Sequence, residues 1–244
     1  DTDGDGIDDA TEGDGDADDD GLRDFEDADD NEGNILQIHL GSKARLETQA
    51  GLLLKQGRKA FELNRKGGEL NLSDVAADSL SHIGKLYDFI IDGLPHKGDT
   101  ATLVIPLAQP VPSDPVYRVL MTTGWQNFIE DANNHLKTAK GAPGNCPPPG
   151  DAAFTAGLTP GDHCLEITIE DGGQNDEDGQ ADGRITDPSG VATNPPASTS
   201  TPATGGGGGG CAINPNAEFD PSLWVMLFLA MGYLYRRQYL RKGF

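Results

Sequence analysis

The sequence predicts a mainly β protein whose folded part is an antiparallel β-sandwich. Apolar and polar residues alternate at a period of two in several short segments between residues 35 and 192. Turn-forming residues, mostly Gly, Pro and Asp, separate these segments. An acidic repeat segment precedes the predicted sandwich, and a linker and one short C-terminal transmembrane helix follow it.

Composition divides the chain into four zones: acidic repeats at 1–34, the sandwich at 35–192, a Pro-, Ser-, Thr- and Gly-rich linker at 193–210, and an apolar and basic segment at 211–244. The chain has no initiator Met and opens inside an acidic repeat. We therefore expect it to be the C-terminal part of a longer protein, so the missing secretory signal carries no weight.

Three segments, 86–92, 100–107 and 164–170, show the clearest alternation. Their predicted inward residues are Tyr87, Phe89, Ile91, Ala101, Leu103, Ile105, Leu107, Leu165, Ile167 and Ile169. Asp88, Asp92 and Glu166 are predicted to point outward. One short helix is expected over residues 74–85.

Residues 1–34 contain seventeen acidic residues and one Arg, within a chain of net charge −22. This imbalance excludes nucleic acid as a partner, since phosphates require basic surfaces. Two copies of a twelve-residue pattern start at Asp1 and Asp16 and match positions 1, 3, 5, 7, 9 and 12 of an EF-hand-type calcium loop, with Gly at position 6. The predicted ligands are Asp1, Asp3, Asp5, Ile7, Asp9, Glu12, Asp16, Asp18, Asp20, Leu22, Asp24 and Asp27.

At position 7 the backbone carbonyl is the ligand, which leaves the Ile7 and Leu22 side chains free to pack. The offset of fifteen residues leaves no room for EF-hand helices. The segment resembles the thrombospondin type 3 repeats of bacterial surface proteins, in which calcium replaces a hydrophobic core. A disordered acidic spacer is the alternative.

A second acidic run at 171–183 contains possible oxygen ligands, namely Asp171, Asn175, Asp176, Asp178 and Asp182. Its spacing matches no established calcium motif. A bound ion and a solvated turn are equally compatible with it.

Residues 86–192, with the motifs LYDFIIDGLPHKGDT, WQNFIEDANN, GNCPPPG and GDHCLEITIEDGG, resemble the choice-of-anchor U domain of bacterial surface proteins. That family implies a location at the cell surface and no catalytic activity. In an exported protein we expect Cys146 and Cys164 to form a disulfide that pins the proline-rich loop over the sheet edge. A zinc half-site with His163 and three buried thiols are the alternatives.

No nucleophile elbow, paired-carboxylate motif or phosphate loop is present, so we expect no enzymatic activity. The basic stretch from Lys43 to Lys66 suits either an anionic glycan or lipid, or a solvated face that balances the acidic repeats.

The apolar run at 223–235 spans roughly 20 Å as a helix, against roughly 30 Å of hydrocarbon. Arg236 and Arg237 follow it, which places the tail on the cytoplasmic side before processing. With Cys211 and the Phe219-Asp220-Pro221 element, this arrangement resembles the JDVT-CTERM sorting signals. The resemblance implies cleavage by an intramembrane protease, with Cys211 as the processing residue, and a thiol there could also carry a lipid.

The sequence therefore predicts a non-enzymatic region of an exported bacterial protein of the cell envelope or surface, with Ca²⁺ as its cofactor. Two alternatives remain at this point. One is a calcium-dependent adhesin module that binds an extracellular glycan or protein, and the other is the tail of a larger exported hydrolase.

Overall fold

Two antiparallel β-sheets form the framework of the structure, a computed structural model that describes residues 1–28, 30, 32–40 and 42–194. The strands are β1 Ile35–Gln37, β2 Arg45–Thr48, β3 Leu53–Gln56, β4 Glu69–Leu70, β5 Ser81–His82, β6 Leu86–Asp92, β7 Thr100–Pro106, β8 Pro115–Met121, β9 Gly124–Asn127, β10 His135–Ala139, β11 Thr155–Ala156, β12 Cys164–Glu170 and β13 Ile185–Thr193. The helices are α1 Asp9–Glu12 and α2 Arg58–Glu62, with 3-10 turns at Asp24–Glu26 and Leu72–Asp74.

The first sheet has the order β1-β2-β7-β12-β10-β11, and the second has the order β3-β6-β13-β8-β9. In the second sheet β4 also pairs with β6, and β5 with β13. Spatial neighbours are mostly distant in sequence, so the chain crosses between the sheets repeatedly. This confirms the predicted fold class for the described residues: mainly β, antiparallel and sandwich-like.

One hydrophobic core receives side chains from both sheets. All ten residues predicted to point inward from the three alternating segments belong to it. β12 has the predicted bounds, and β7 ends at Pro106, one residue before the predicted end. A fully buried Leu or Ile stabilises such a core by roughly 1.5–3 kcal/mol, so these faces fix the register of the sheets.

Two of the outward acids are buried, although we expected solvent exposure. Asp88 is 1% exposed because α2 covers it, and the Ala60 N–H donates to its Oδ2 at 2.6 Å. Glu166 is 1% exposed beneath the loop after β10, where it accepts from Gly150 N at 2.6 Å and Lys137 Nζ at 2.9 Å. The alternation gave the correct face but could not reveal the segments that cover it.

Cys146 and Cys164 form the predicted disulfide, with their Cα atoms 5.5 Å apart. Cys164 lies on the outer face of its strand, in a small buried cluster with Val104, Ala139 and Phe154. The bridged loop therefore lies over the outer face of the first sheet, where we had expected it at the edge. The disulfide also excludes the zinc half-site and the free-thiol alternative for these two cysteines.

The predicted helix at 74–85 is wrong. That stretch contains the end of the 3-10 turn at Asp74, an irregular segment and β5. Asp78 explains the difference, because Arg118 donates to both of its carboxylate oxygens at 2.7 and 2.8 Å and His82 lies 2.9 Å from one of them. Tertiary contacts of this kind compete with helical hydrogen bonds.

Candidate metal centre

The two N-terminal loops share left-handed turns at equivalent positions, at an offset of fifteen residues, although the first ends in an α-helix and the second in a 3-10 turn. We call residues 1–12 the first loop and residues 16–27 the second loop. Gly6 and Gly21, both at position 6, have φ angles of +103° and +98°. At position 4, Gly4 has φ +85° and Asp19 has φ +63°, so even the non-glycine residue adopts the left-handed turn. The sequence repeat is therefore also a structural repeat.

Hydrogen bonds inside the loops repeat in the same way. The backbone N–H at position 7 donates to the Oδ1 of position 5 at 2.6 Å in both loops, from Ile7 to Asp5 and from Leu22 to Asp20. The N–H of position 5 donates to the Oδ1 of position 3, at 3.1 Å for Asp3 and 3.2 Å for Asp18. These turns use one oxygen of each carboxylate and leave the other free of the turn.

The remaining oxygens are enclosed and have no hydrogen-bond partner. They are Oδ2 of Asp3, Asp18 and Asp20 and both carboxylate oxygens of Glu12. Asp3 is 3% exposed and Asp20 is fully buried. Buried carboxylate oxygens without a donor are costly, and a cation is the partner that would satisfy them.

Each loop also brings three carboxylates together. One oxygen from each of Asp1, Asp3 and Asp5 lies within 4.8 Å of the others, and Asp16, Asp18 and Asp20 form the matching group. Among the described residues, these are the groups of three or more potential metal ligands that meet this spacing. With the position-7 carbonyl and the position-12 carboxylate nearby in sequence, the donor set is all oxygen. The residues present therefore fit Ca²⁺.

The electrostatics agree with this arrangement. Burial, reinforced by the charge of Asp27, raises the pKa of Asp20 to about 8. Burial also raises the pKa of Glu12, with Asp3 as the next contribution, and burial raises that of Asp18. A raised pKa means that the ionised form of a carboxyl group is disfavoured in its site, and a bound cation would favour that form.

Position 9 has a different role from the other ligands. Asp9 Oδ1 accepts from the Thr2 N–H, and Asp24 Oδ1 accepts from the Ala17 N–H, both at 2.7 Å. Each side chain thus closes its loop from one end to the other. An EF-hand-type loop often reaches its ion from position 9 through a water molecule, which is compatible with this bracing.

Asp30 is a candidate ligand that the loop pattern did not predict. Its Oδ1 is enclosed and without a partner, and its charge raises the pKa of Glu12 in the first loop and of Asp18 in the second. The residue fifteen positions earlier is Gly15, so the repeat gives no signal for it. The continued acidic run after Asp27 was the available clue.

The acidic run at 171–183, here called the acidic turn, uses its side chains differently. Asp171 accepts backbone N–H groups from Asp182 at 3.1 Å, Gly183 at 2.9 Å and Gly98 at 2.8 Å. Asn175 bonds both the N–H and the C=O of Ile129, at 2.8 and 2.9 Å.

The three remaining candidates of the acidic turn also bind backbone groups. Asp176 accepts from Gly172 N at 2.8 Å and Thr186 N at 2.9 Å. Asp178 and Asp182 are exposed and accept from Gln180 N at 2.7 Å and Arg184 N at 3.0 Å. The geometry brings these residues to the loop backbone and not to a common point, so we do not carry a metal site here into the proposed function.

Most of the basic stretch at 43–66 is engaged inside the fold. Its side chains form ion pairs from Lys55 to Asp92, from Arg58 and Lys59 to Glu177, from Arg65 to Asp74 and from Lys66 to Glu26. These contacts favour the interpretation that the stretch balances acidic segments of the same chain.

No protein-family model matches the chain, and neither the curated proteins nor the solved structures contain a match. Most of the linker at 193–210, Cys211 and the predicted transmembrane helix at 223–235 lie outside the described residues. Within the described part of the chain, no helix has the length and apolar character needed to cross a membrane.

Proposed function

We propose that residues 1–30 bind calcium, with one ion in each loop, and that this part of the chain acts as a calcium-stiffened support for the β-sandwich. The observation that carries the proposal is the set of enclosed, unpartnered carboxylate oxygens in the two repeated loops, with Asp3 and Asp18 at equivalent positions. Calcium suits the set better than magnesium, because Mg²⁺ requires near-ideal octahedral geometry and retains several waters.

Calorimetric titration of the full 244-residue chain, stripped of metal by a chelator, tests this proposal. We expect calcium to bind with a Kd of roughly 10⁻³ M or tighter, as in other extracellular modules, and magnesium to bind more weakly. Asp5→Asn and Asp20→Asn change the same loop position and keep an oxygen to accept the position-7 N–H. Each should remove one binding site.

Asp178→Asn is the matched control, since it removes an exposed carboxylate from the acidic turn. It should leave calcium binding unchanged. An absence of calcium binding at millimolar concentration, or equal losses in all three variants, would show that the loops are not the site.

We further propose that the chain is a non-enzymatic part of an exported envelope protein. The Cys146–Cys164 disulfide supports this, because such bonds persist in oxidising compartments. The resemblances of residues 86–192 and of the C-terminal segment support it as well. In this proposal the C-terminal helix resides in the inner membrane until an intramembrane protease cuts the chain near Cys211.

Mass spectrometry of the mature C-terminus from the native host tests the processing step. We expect a chain that ends near Cys211, and a mass increment on that residue would identify a lipid. Recovery of an intact tail containing Arg236 and Arg237 would contradict the processing proposal without affecting the calcium loops.

A further inference from the structure

The second loop is built into the sandwich, whereas the first is not. Leu22, at position 7 of the second loop, is 3% exposed and belongs to the hydrophobic core shared by both sheets. Ile7, the equivalent residue of the first loop, is 44% exposed. We propose that calcium in the second loop stabilises the β-sandwich itself, while calcium in the first loop orders only its own segment. This inference rests on the proposed calcium binding.

Leu22 connects the second loop to the hydrophobic core of the sandwich. Its backbone carbonyl occupies the ligand position of the loop, its N–H donates to Asp20 Oδ1, and its side chain packs between the sheets. Any movement of the carbonyl therefore moves a core side chain. Ile7 has the same backbone role but no core contact, so the two loops form a natural internal comparison.

The backbone after Asp18 also extends the second sheet. The Gln56 N–H donates to the Asp20 carbonyl at 3.1 Å, and the Leu54 N–H donates to the Gly33 carbonyl at 2.6 Å. Both donors are in β3, which is at the end of its sheet's strand order. Asp20 thus provides a candidate calcium ligand with its side chain and a sheet hydrogen bond with its main chain.

Further contacts fix the end of the second loop. Glu26 accepts from Lys66 Nζ at 2.6 Å, and its carbonyl accepts from the Gln37 side chain. The Ala28 carbonyl accepts from Arg45 at 3.3 Å. The second loop is therefore anchored to both sheets, since Gln37 and Arg45 belong to the first and β3 to the second.

Charge explains why the cation should influence these contacts. Asp20 is fully buried and Asp27 is 3% exposed, and the two carboxylates repel each other within the loop that Leu22 anchors. Without a cation, the burial of Asp20 next to Asp27 is unfavourable, which favours an open loop that withdraws Leu22 and the Asp20 carbonyl. With a cation, the same groups favour the docked loop.

Thermal unfolding of the full chain, with calorimetric titration on the same samples, tests the coupling. At free calcium about a hundredfold above the Kd, we expect the Tm of the sandwich to rise by roughly 5–10 °C over the chelated protein. Asp20→Asn should abolish that rise, and Asp5→Asn should retain most of it. In chelator, Asp20→Asn should be no less stable than the parent chain, because it removes a carboxyl group that is unfavourable to bury.

Hydrogen exchange locates the effect. The amides of Leu54 and Gln56 should exchange at least tenfold more slowly with calcium in the parent chain, since Gln56 donates to the second loop and Leu54 to the segment that follows it. Leu22→Ser should lose this protection, whereas Ile7→Ser, the same change at the same loop position, should retain it. Should Leu22→Ser fail to fold, Asp20→Asn provides the same comparison.

The outcomes separate the two proposals. Calcium binding without a Tm rise and without protection at Leu54 and Gln56 would overturn the coupling and leave the calcium sites intact. A Tm rise that depends on Asp5 instead of Asp20 would also overturn it. An absence of calcium binding would overturn both proposals.

Discussion

The two N-terminal loops and the acidic turn are both rich in Asp and Gly, yet their carboxylates are used in opposite ways. In the loops, the enclosed Oδ2 atoms of Asp3 and Asp20 have no hydrogen-bond donor. In the acidic turn, Asp171 and Asp176 accept N–H groups from the turn and its neighbours. Acidic composition therefore does not define a cation site. The decisive property is whether the protein's own N–H groups already satisfy the oxygens.

The largest expected effect is in the acidic turn. Asp171→Ala removes the acceptor of three backbone N–H groups from a buried position, so we expect a loss of roughly 2–5 kcal/mol in the free energy of unfolding. Urea denaturation measures it, and the loss should be the same with calcium and with chelator. A loss that calcium reverses would show that Asp171 binds an ion.

Calcium removal should have the next largest effect, and that effect should be greatest in the two N-terminal loops. Arg23 lies in the second loop and Arg184 lies directly after the acidic turn, so trypsin can report on both segments. At calcium about a hundredfold above the Kd, cleavage after Arg23 should slow by up to about a hundredfold relative to chelator. Cleavage after Arg184 should slow only to the extent that calcium stabilises the sandwich. Equal cleavage rates after Arg23 with and without calcium would contradict the proposed difference between the second loop and the acidic turn.

The pH dependence of stability should also distinguish the acidic turn from the second loop. Burial, opposed by its backbone hydrogen bonds, raises the pKa of Asp176 to about 6. Because the folded pKa is above the unfolded value, the contribution of Asp176 to stability is greatest below about pH 4 and falls as pH rises to about 6, by at most about 1.4 kcal/mol per pH unit.

The corresponding loss for Asp20, whose pKa is about 8, extends to pH 8 in chelator. Calcium should remove the Asp20 component and leave the Asp176 component. Denaturation midpoints from pH 4 to 8, with and without calcium, and with Asp176→Asn as the control, measure the two components. A calcium effect on the component that Asp176→Asn removes would contradict the assignment.

The smallest effect should come from Asp178→Asn in the exposed part of the acidic turn. Since Asn keeps an oxygen to accept the Gln180 N–H, we expect a change within about 0.5 kcal/mol and no change in calcium response. A larger change in urea denaturation would mean that the ionised carboxylate has a partner of its own.

Much of the sandwich could be predicted from local alternation, because a strand with one buried face repeats every two residues. β6, β7 and β12 and their inward faces followed from this rule. The burial of Asp88 and Glu166 and the conformation of the 74–85 segment could not be predicted in this way. Each depends on a contact with residues far away in sequence. For Asp78 the deciding partner, Arg118, lies forty residues away.

The loops show the same division. Ligand spacing and Gly positions are local and could be predicted, as could the freedom of the Leu22 side chain to pack. That Leu22 would enter the core while Ile7 stayed exposed depends on tertiary packing, as does the position of Asp30 between the loops. The sequence repeat predicts two loops with the same environment. Contact with the sandwich buries the position-7 residue of the second loop and leaves the equivalent residue of the first exposed.

The position of β13 has a mechanical consequence. This last described strand lies inside the second sheet and pairs with β6 on one side and β8 on the other. If the chain is tethered beyond residue 194, as in the processing proposal, a pulling force enters the sandwich through an interior strand. Such a load must shear two ladders at once, which resists force better than peeling away one edge strand.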